Sequence, residues 1–317
     1  MERSSLPILA VVVPCYNEES ILAGSIQILL QKLDEMLQMK MISEQSFLLC
    51  VDDGSKDRTW EIISKAAHDH PDRVQGLRLS NNCGHQNALT AGLQYAADHS
   101  DASISIDADL QDDVEVLRQF VEEYNHGADI VYGVRNDRSS DSVFKRLFAE
   151  LFYKLMQWLG AKTVYNHADF RLMSKAAMQA LMEYPEVNLY LRGLVPLLGF
   201  RQAMVFYKRK ATDRPTHYPI TKMFRLAWDG ITSFSVRPIR LISMLGGLFL
   251  LFCAVYTGYV IYRYCQGQTA AGWPSMVCLL LLIGGIQLIS IGIIGEYIAK
   301  TYMETKHRPR FHIQEKL

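Results

Sequence analysis

Two aspartates separated by one residue, Asp107 and Asp109, are the pair in this sequence whose type and spacing most directly suggest chemistry. They follow residues 102–106, where alternating apolar residues predict a strand. In an extended chain, residues two apart point to the same side, so the two carboxylates would lie together. Their repulsion would be relieved by a hard divalent cation such as Mg²⁺, which also keeps room for substrate phosphates.

An Asp-X-Asp pair alone is a weak indication, because most such pairs are acidic residues of solvated loops. The elements that position the pair therefore matter. Apolar runs typical of buried strands occupy residues 8–13, 47–51, 76–79, 104–106 and 130–132, and helical spacing occupies residues 20–39, 59–68 and 87–97. These repeated strand–helix units predict an α/β domain with a parallel sheet, on which ligands gather at the carboxyl ends of the strands.

Polar residues follow every predicted strand, at positions 14–19, 52–57, 80–87, 107–109 and 133–135. Each segment alone also has a plain structural explanation: Asp53-Gly54-Ser55 suits a turn with a helix cap, and Pro14 suits the end of a strand. Five polar strand ends on one edge indicate a ligand site more strongly. The sequence has no P-loop and no Gly-x-Gly-x-x-Gly motif, which disfavours ATPases and dinucleotide-binding enzymes.

The composition of the chain disfavours several classes of protein. Its 317 residues suggest about two domains, and 33 basic against 33 acidic residues argue against a nucleic-acid partner. Six cysteines without Cys-x-x-Cys spacing favour reduced thiols over a zinc site or a disulfide framework. Residues 1–7 are polar and lead directly into the first predicted strand, so we expect no signal peptide.

Two long uncharged stretches predict a membrane hairpin. Residues 241–262 and 264–295 contain no charged side chain, and each exceeds the roughly 20 residues that cross a bilayer; two buried core helices are the alternative. Basic residues flank the outer ends of the hairpin at Arg237, Arg240, Lys300, Lys306, Arg308 and Arg310, whereas the link carries only Arg263. Because basic residues stay on the cytoplasmic side, both termini and the large N-terminal domain should be cytoplasmic.

The expected organisation follows from these flanks. A cytoplasmic domain at 1–225 leads through a juxtamembrane segment at 226–240 to the spans at 241–262 and 273–295, which an extracytoplasmic link at 263–272 joins. A cytoplasmic tail occupies residues 296–317. Association of several copies through the hairpin is a further expectation.

Several motifs resemble those of one enzyme family. Residues 12–18 read Val-Val-Pro-Cys-Tyr-Asn-Glu, residues 51–59 read Val-Asp-Asp-Gly-Ser-Lys-Asp-Arg-Thr, and residues 107–112 read Asp-Ala-Asp-Leu-Gln-Asp. They resemble the family 2 inverting glycosyltransferases, whose GT-A fold is an α/β architecture with a Rossmann-like mixed sheet flanked by helices. The closer resemblance is to the polyprenyl-phosphate glycosyltransferases, with similar motifs at residues 82–89, 168–172, 229–235 and 295–298.

The resemblance implies a nucleotide-sugar donor and a divalent cation, Mg²⁺ or Mn²⁺. The residues that would contact the donor nucleotide are Pro14, Tyr16, Glu18, Asp52, Asp53 and Asp107. The cation on the diphosphate, which neutralises charge on the leaving nucleotide, would be held by Asp107, Asp109 and Gln111. The implied catalytic residues are Asp169 and Asp109. Asp169 would deprotonate the acceptor, or it would only orient groups, because a lipid phosphate is already ionised near neutral pH. Alone, Asp169 also suits a helix N-cap, with Arg171 as a structural partner.

A lipid phosphate acceptor requires basic side chains near the membrane. The candidates are Arg135, Lys145, Arg146, Arg171, Lys208, Arg209 and Lys210, any of which would also suit a solvated surface charge. Arg214 and His217 stand where the family commonly has Gly and Lys, which leaves open which cation grips the phosphate. Residues 144–159 have an apolar helical face, which suits either a helix packed on the domain or an interfacial helix docked on the bilayer.

Together these features lead us to expect a membrane-bound inverting glycosyltransferase. It would move glucose or N-acetylglucosamine from a UDP-sugar to undecaprenyl phosphate at the cytoplasmic face of the cell membrane. A processive polysaccharide synthase is one alternative, but the Gln-x-x-Arg-Trp motif is absent and the corresponding region, residues 190–194, reads Tyr-Leu-Arg-Gly-Leu. A non-catalytic membrane scaffold is the other, and the intact Asp107, Asp109 and Asp169 disfavour it.

Overall fold

The computed structural model of the chain describes residues 5–135, 167–186, 191–208 and 272–317, together with single positions between 239 and 266. The chain forms two compact units. The first contains residues 1–154, 162–219 and 307–317, and the second contains residues 155–161 and 220–306.

The first unit alternates strands and helices. Its strands are β1 (Leu9–Cys15), β2 (Phe47–Asp52), β3 (Val74–Leu79), β4 (Ala102–Ser105), β5 (Ile130–Arg135), β6 (His167–Ser174), β7 (Gln202–Tyr207) and β8 (Ile313–Lys316). Its helices are α1 (Leu22–Gln38), α2 (Thr59–Asp69), α3 (His85–His99), α4 (Leu117–Asn125), α5 (Lys175–Met182) and α6 (Leu191–Leu194), with short 3-10 turns at Val114–Val116 and Val195–Leu198. The strands and helices predicted before residue 135 are confirmed, with ends that differ by a few residues.

In the described residues, eight strands form one mixed sheet in the order β7-β5-β6-β4-β1-β2-β3-β8. Strands β1 to β5 and β7 share one direction, whereas β6 and β8 run antiparallel to their neighbours. The strands predicted before residue 135 share one direction, as expected of a parallel sheet. β6 and β8 lie outside those predicted strands and make the sheet mixed, as the family resemblance implies. The carboxyl ends of the strands that run in one direction meet at one edge.

Helices cover both faces of this sheet. On one face, Val11 and Val13 of β1 pack in a single core with Leu29 of α1. On the other face, α3 lies so close that a Cβ added at Gly92 would come within 2.4 Å of Val12 Cγ1. Because both faces are covered, β1 and β2 are buried along their whole length, which explains their continuous apolar sequences.

Strand β8 is the edge strand at one side of the sheet, and it comes from a part of the chain far from its neighbour β3. It pairs antiparallel with β3, placing Lys316 opposite Leu77. The pairing continues through the Ser80 N–H, which donates to the His312 carbonyl over 2.9 Å, and the Leu317 N–H, which donates to Gly76 over 2.9 Å. The predicted cytoplasmic tail thus supplies an edge strand.

The second unit contains a long apolar helix, α7 (Trp273–Thr305). Within the described part of the chain, Leu282–Thr305 is the one helical stretch long and apolar enough to cross a membrane, and its apolar window is wholly unburied. The second span was predicted to end at residue 295, but the helix continues to Thr305. The described positions between 239 and 262 are helical; the rest of the first predicted span and the predicted helix at 144–159 lie outside the described residues.

Candidate active site

Asp107 and Asp109 lie just after β4, in a tight turn at the carboxyl edge of the sheet. Strand β4 ends at Ser105, and the Leu110 N–H donates to the Asp107 carbonyl oxygen over 3.1 Å. Leu110 adopts a left-handed conformation, with φ of 45°, to make this turn. The prediction of an extended chain through Asp109 is therefore wrong. Both carboxylates nevertheless reach solvent, since the Asp107 side chain is 49% exposed and Asp109 is exposed.

The turn is fixed on both sides of Asp109. On one side, Ser25 Oγ of α1 donates to the Ala108 carbonyl over 2.6 Å. On the other side, the buried carboxylate of Asp112 accepts a hydrogen bond from Tyr207 Oη over 2.7 Å. Asp109 is thus an exposed carboxylate between two buried anchors.

Asp169 lies on β6, beside β4, so its interpretation as a helix N-cap is wrong. Its Oδ1 accepts from Arg171 Nη2 over 2.7 Å, and its Oδ2 accepts from Arg192 Nη2 over 3.1 Å. Burial alone would raise the pKa of Asp169, but Arg192 and Arg171 outweigh burial and hold this pKa far below its usual range. Asp169 is therefore ionised at neutral pH and held between two guanidinium groups.

Two contacts fix the short helix that carries Arg192. The Leu191 N–H donates to Gln86 Oε1 over 3.2 Å, and Arg171 Nη1 donates to the Leu191 carbonyl over 3.4 Å. Arg171 is 2% exposed, so its guanidinium serves interior partners. This placement favours a structural pair with Asp169 over the predicted role of Arg171 as a ligand of the acceptor phosphate.

His85, the first residue of α3, lies between two carboxylates of the site. Its Nε2 is 3.6 Å from Asp107 Oδ1 and 3.7 Å from Asp169 Oδ2. Partial removal from water raises the pKa of Asp107; His85 opposes this effect, and the carboxylates of Asp169, Asp112 and Asp109 reinforce it. Carboxylates crowded in this way are stabilised by a bound cation.

The oxygen donors of the turn fit a hard divalent cation that is shared with a substrate. Asp107, Asp109 and Gln111 would supply carboxylate and amide oxygens, which suit Mg²⁺ and Mn²⁺. No group of three or more His, Cys, Asp or Glu side chains able to hold a metal ion occurs among the residues that the structure describes. A site of one or two carboxylates, completed by phosphate oxygens and water, is the usual arrangement for Mg²⁺.

Asp53 holds the loop that precedes α3. Its Oδ1 accepts from the Cys83 N–H over 2.7 Å, and its Oδ2 accepts from the Gly84 N–H over 2.9 Å. Gly84 has a φ of 90°, which favours glycine, and α3 begins at the next residue. Asp52 is fully buried and accepts from the backbone N–H of Ser55 over 3.1 Å. Both carboxylates organise strand ends, and their contact with a nucleotide stays a prediction.

Tyr16 and Glu18 follow β1 at the same edge of the sheet. Between them, Asn17 has a φ of 54°, and its N–H donates to Ser55 Oγ over 2.9 Å, which ties this segment to the loop after β2. Tyr16 is 42% exposed, as stacking on a nucleotide base requires. Pro14 is buried within β1, so it would support the site through packing and not through direct contact with a ligand.

Of the remaining predicted phosphate ligands, Arg135 and Lys208 fall within the described chain. Arg135 ends β5, where it donates to Asp112 Oδ1 over 3.1 Å and to Tyr207 Oη over 3.2 Å. Lys208 is exposed directly after β7. The other candidates, Lys145, Arg146, Arg209 and Lys210, lie outside the described residues.

Sequence reasoning assigned no role to several residues that the structure brings to the site: Ser25, His85, Gln86, Asp112, Arg192 and Tyr207. His85 and Asp112 lie within two of the motifs, so a signal for them was present. Ser25 and Tyr207 carry no such signal, because each acts on a turn far away in the sequence.

Comparison with known proteins gives matches along the whole chain. The family model described as Glycosyl transferase family 2 matches residues 10–182, and the one described as GtrB C-terminal hairpin matches residues 237–301. The uncharacterized glycosyltransferase YkoT of Bacillus subtilis (strain 168) is 48% identical over 312 residues, 98% of this chain and 92% of that protein.

Two further relatives have more specific names. The prophage bactoprenol glucosyl transferase homolog of Escherichia coli (strain K12) is 38% identical over 309 residues, 96% of this chain and 98% of that protein. The bactoprenol glucosyl transferase of Shigella phage SfX is 37% identical over 313 residues, 97% of this chain and 99% of that protein.

Proposed function

Since the chain belongs to glycosyl transferase family 2, within the polyprenyl-phosphate glycosyltransferase group, we propose that it transfers one sugar from a nucleotide-sugar to undecaprenyl phosphate. The transfer inverts the anomeric carbon, so an α-linked donor leads to a β-linked lipid-phosphate sugar. UDP-glucose is the donor that we propose first, and UDP-N-acetylglucosamine is its nearest competitor.

The relatives support both the sugar and the lipid. The bactoprenol glucosyl transferase of phage SfX and the prophage bactoprenol glucosyl transferase homolog of Escherichia coli are similar to this chain over nearly their full length. Similarity over both the domain and the hairpin favours a single transfer to a lipid over a processive synthase or a scaffold.

The main support for the proposal is that two groups of side chains lie close together at one edge of the sheet. Asp107 and Asp109 occupy the turn after β4, and Asp169 with Arg192 lies beside them on the neighbouring elements. His85 links the two groups through distances of 3.6 and 3.7 Å. Carboxylates suited to a cation–diphosphate thus lie next to a fixed, partly exposed guanidinium.

The geometry indicates how these residues would divide the work. A cation held by Asp107 and Asp109 would neutralise charge on the departing nucleotide. The acceptor phosphate is already ionised near neutral pH, so the reaction needs no base. Asp169, ionised and doubly paired, would orient Arg192, whose side chain is 38% exposed. Arg192 would then steady a phosphate oxygen through charge-assisted hydrogen bonds.

A two-helix hairpin is the proposed membrane anchor. The hairpin family model spans residues 237–301, and α7 has the length and apolar surface that a span requires. Basic residues at the outer ends of the hairpin favour a cytoplasmic position for residues 1–225 and for the segment after α7. The catalytic edge would thereby work at the cytoplasmic face of the membrane.

A direct transfer assay tests the proposed function. Full-length protein in detergent is incubated with undecaprenyl phosphate, Mg²⁺ or Mn²⁺ and a panel of nucleotide-sugars, and the products are identified by mass spectrometry. We expect a hexosyl undecaprenyl phosphate with UDP-glucose and none after chelation. Asp107→Asn should lower the rate at least about 100-fold, since it removes a charged ligand of the proposed cation.

Asp98→Asn is the matched control, because this exposed carboxylate lies near the far end of α3. It should transfer at the wild-type rate. Full transfer by Asp107→Asn would contradict the assigned cation site, and the absence of any lipid-linked product across the panel would contradict the proposed function itself.

A further inference from the structure

Tyr207, Asp112 and Arg135 form a closed polar cluster behind the turn that carries Asp107 and Asp109. Tyr207 Oη donates to Asp112 Oδ1 over 2.7 Å, and Arg135 Nη2 donates to the same oxygen over 3.1 Å. Arg135 Nε completes the cluster by donating to Tyr207 Oη over 3.2 Å. Tyr207 and Asp112 are each 3% exposed, so water does not replace these bonds readily.

The cluster joins the ends of two strands to the loop after β4. Tyr207 ends β7, Arg135 ends β5, and Asp112 lies 95 positions before Tyr207. The Tyr207 ring is itself fixed, because it packs edge-on against Phe170 with ring centroids 5.4 Å apart. A ring held in this way sets the position of its hydroxyl, and the hydroxyl sets the position of Asp112.

The hydroxyl is a dependable donor. Burial and the neighbouring Asp112 carboxylate raise the pKa of Tyr207 well above its usual range, so the phenol keeps its proton. Loss of the hydroxyl would leave Asp112 with Arg135 as the remaining member of the cluster. The end of the turn would then be held by one fewer short hydrogen bond.

We propose that Tyr207 is a positioning residue for the divalent cation and acts through Asp112. Asp109 lies between the Ser25 anchor at Ala108 and the Asp112 anchor, so both anchors hold the backbone that carries its carboxylate. Fixed ligands bind a cation more tightly, since they need no ordering when the cation arrives. This proposal rests on the proposed function, because the cation is part of it.

Tyr207→Phe tests the proposal, because it keeps the ring and removes only the hydroxyl. Mn²⁺ is titrated into full-length protein with UDP present, and free Mn²⁺ is measured by electron paramagnetic resonance. We expect the Mn²⁺ dissociation constant to rise about tenfold, the lower end of the effect of residues that support a metal ligand. Transfer should fall at low Mn²⁺ and recover at saturating Mn²⁺, which a general loss of folding would not produce.

Tyr124→Phe is the matched control. It also removes a tyrosine hydroxyl, a part-buried one that donates to the Asp101 carbonyl over 3.2 Å at the opposite end of β4. Mn²⁺ affinity should stay at the wild-type value in this variant. If Tyr207→Phe does not fold, Arg135→Gln takes its place, with the same expected rise in the dissociation constant.

Asp107→Asn separates the two proposals. Suppose that Asp107→Asn weakens Mn²⁺ binding, whereas the folded Tyr207→Phe or Arg135→Gln variant binds Mn²⁺ as the wild type does. This result would overturn the role of Tyr207 and would still support the cation site. Unchanged binding in Asp107→Asn would remove the cation site from the proposed function, and the role of Tyr207 with it.

Discussion

Among single residues, Asp169 and Arg171 lie almost wholly inside the protein, with their charged groups 2.7 Å apart and their side chains 10% and 2% exposed. Removing one charge of a buried pair leaves the other without compensation in a medium that solvates it poorly. A substitution of Asp169 therefore acts on the stability of the fold as well as on the site. Activity alone would not separate these effects.

We predict that Asp169→Asn lowers the free energy of unfolding by about 3–5 kcal/mol, because Arg171 keeps its buried charge. For a domain of this size, the thermal midpoint should fall by roughly 6–20 °C. Circular dichroism of the detergent-purified protein measures this shift.

Asp109→Asn makes the same chemical change at an exposed carboxylate and should move the midpoint little, by about 0.5 kcal/mol or less in free energy. Equal midpoints for the two variants would mean that the Asp169–Arg171 pair contributes nothing to stability.

At this scale the sequence predicts residues better than it predicts their partners. The motif at 107–112 points to Asp107, Asp109 and Gln111 as candidates, because residue type and spacing can be read directly from the sequence. One partner of Asp169, Arg192, lies 23 positions away, and one partner of Asp112, Tyr207, lies 95 positions away. Such pairs are created by the tertiary arrangement of strands and helices, which spacing along the chain does not contain.

Among the elements, α3 packs tightly on the sheet at one glycine. A Cβ on Gly92 would lie 2.4 Å from Val12 Cγ1 and 3.0 Å from Val51 Cγ2, so a larger residue must push helix and strands apart. His85 is the first residue of the same helix. The packing at Gly92 therefore bears on where the imidazole meets the two carboxylates.

We predict that Gly92→Ala destabilises the protein by about 1–3 kcal/mol through overpacking against two β-branched side chains. Thermal unfolding provides the measurement. The contrasting variant is Gly24→Ala in α1, where an added Cβ meets nothing within 4 Å. This change should leave stability unchanged or raise it by up to about 1 kcal/mol. Equal destabilisation by both variants would contradict the close approach of α3.

The elements that could be predicted are those with a strong local pattern. Strands β1 and β2 are continuous apolar runs, buried on every residue. Strand β7 alternates exposed and buried residues over a short length, and β8 has only four residues, three of them exposed. Their strand conformation comes from pairing with β5 and β3, so local pattern alone did not reveal them.

At the scale of the whole molecule, β8 brings residues from the C-terminal part of the chain into the same sheet as the N-terminal strands. The segment after α7 returns to the first unit and pairs with β3, the outer strand of the parallel part. Several backbone hydrogen bonds hold it, including the one from the Ser80 N–H to His312. The unit that carries the candidate site is therefore completed by residues that follow the apolar helix.

We predict that deletion of residues 313–317 destabilises the first unit by about 2–4 kcal/mol, the sum of several hydrogen bonds worth about 0.5–1.5 kcal/mol each. Amides of β3, such as Gly76 N–H, should exchange with solvent faster, as hydrogen–deuterium exchange would detect. Gln314→Ala is the control, because it changes an exposed side chain and keeps the backbone pairing. Wild-type protection of β3 in the deletion variant would show that β8 is dispensable.

The position of β8 also has a consequence for biosynthesis. In the described sheet, β8 is the last strand to leave the ribosome, and it leaves only after α7 has been made. Translation adds about 5–20 residues per second, so β3 spends many seconds with an unpaired edge, a known template for aggregation. A nascent chain stalled within α7 would therefore keep that edge exposed to other unpaired strands.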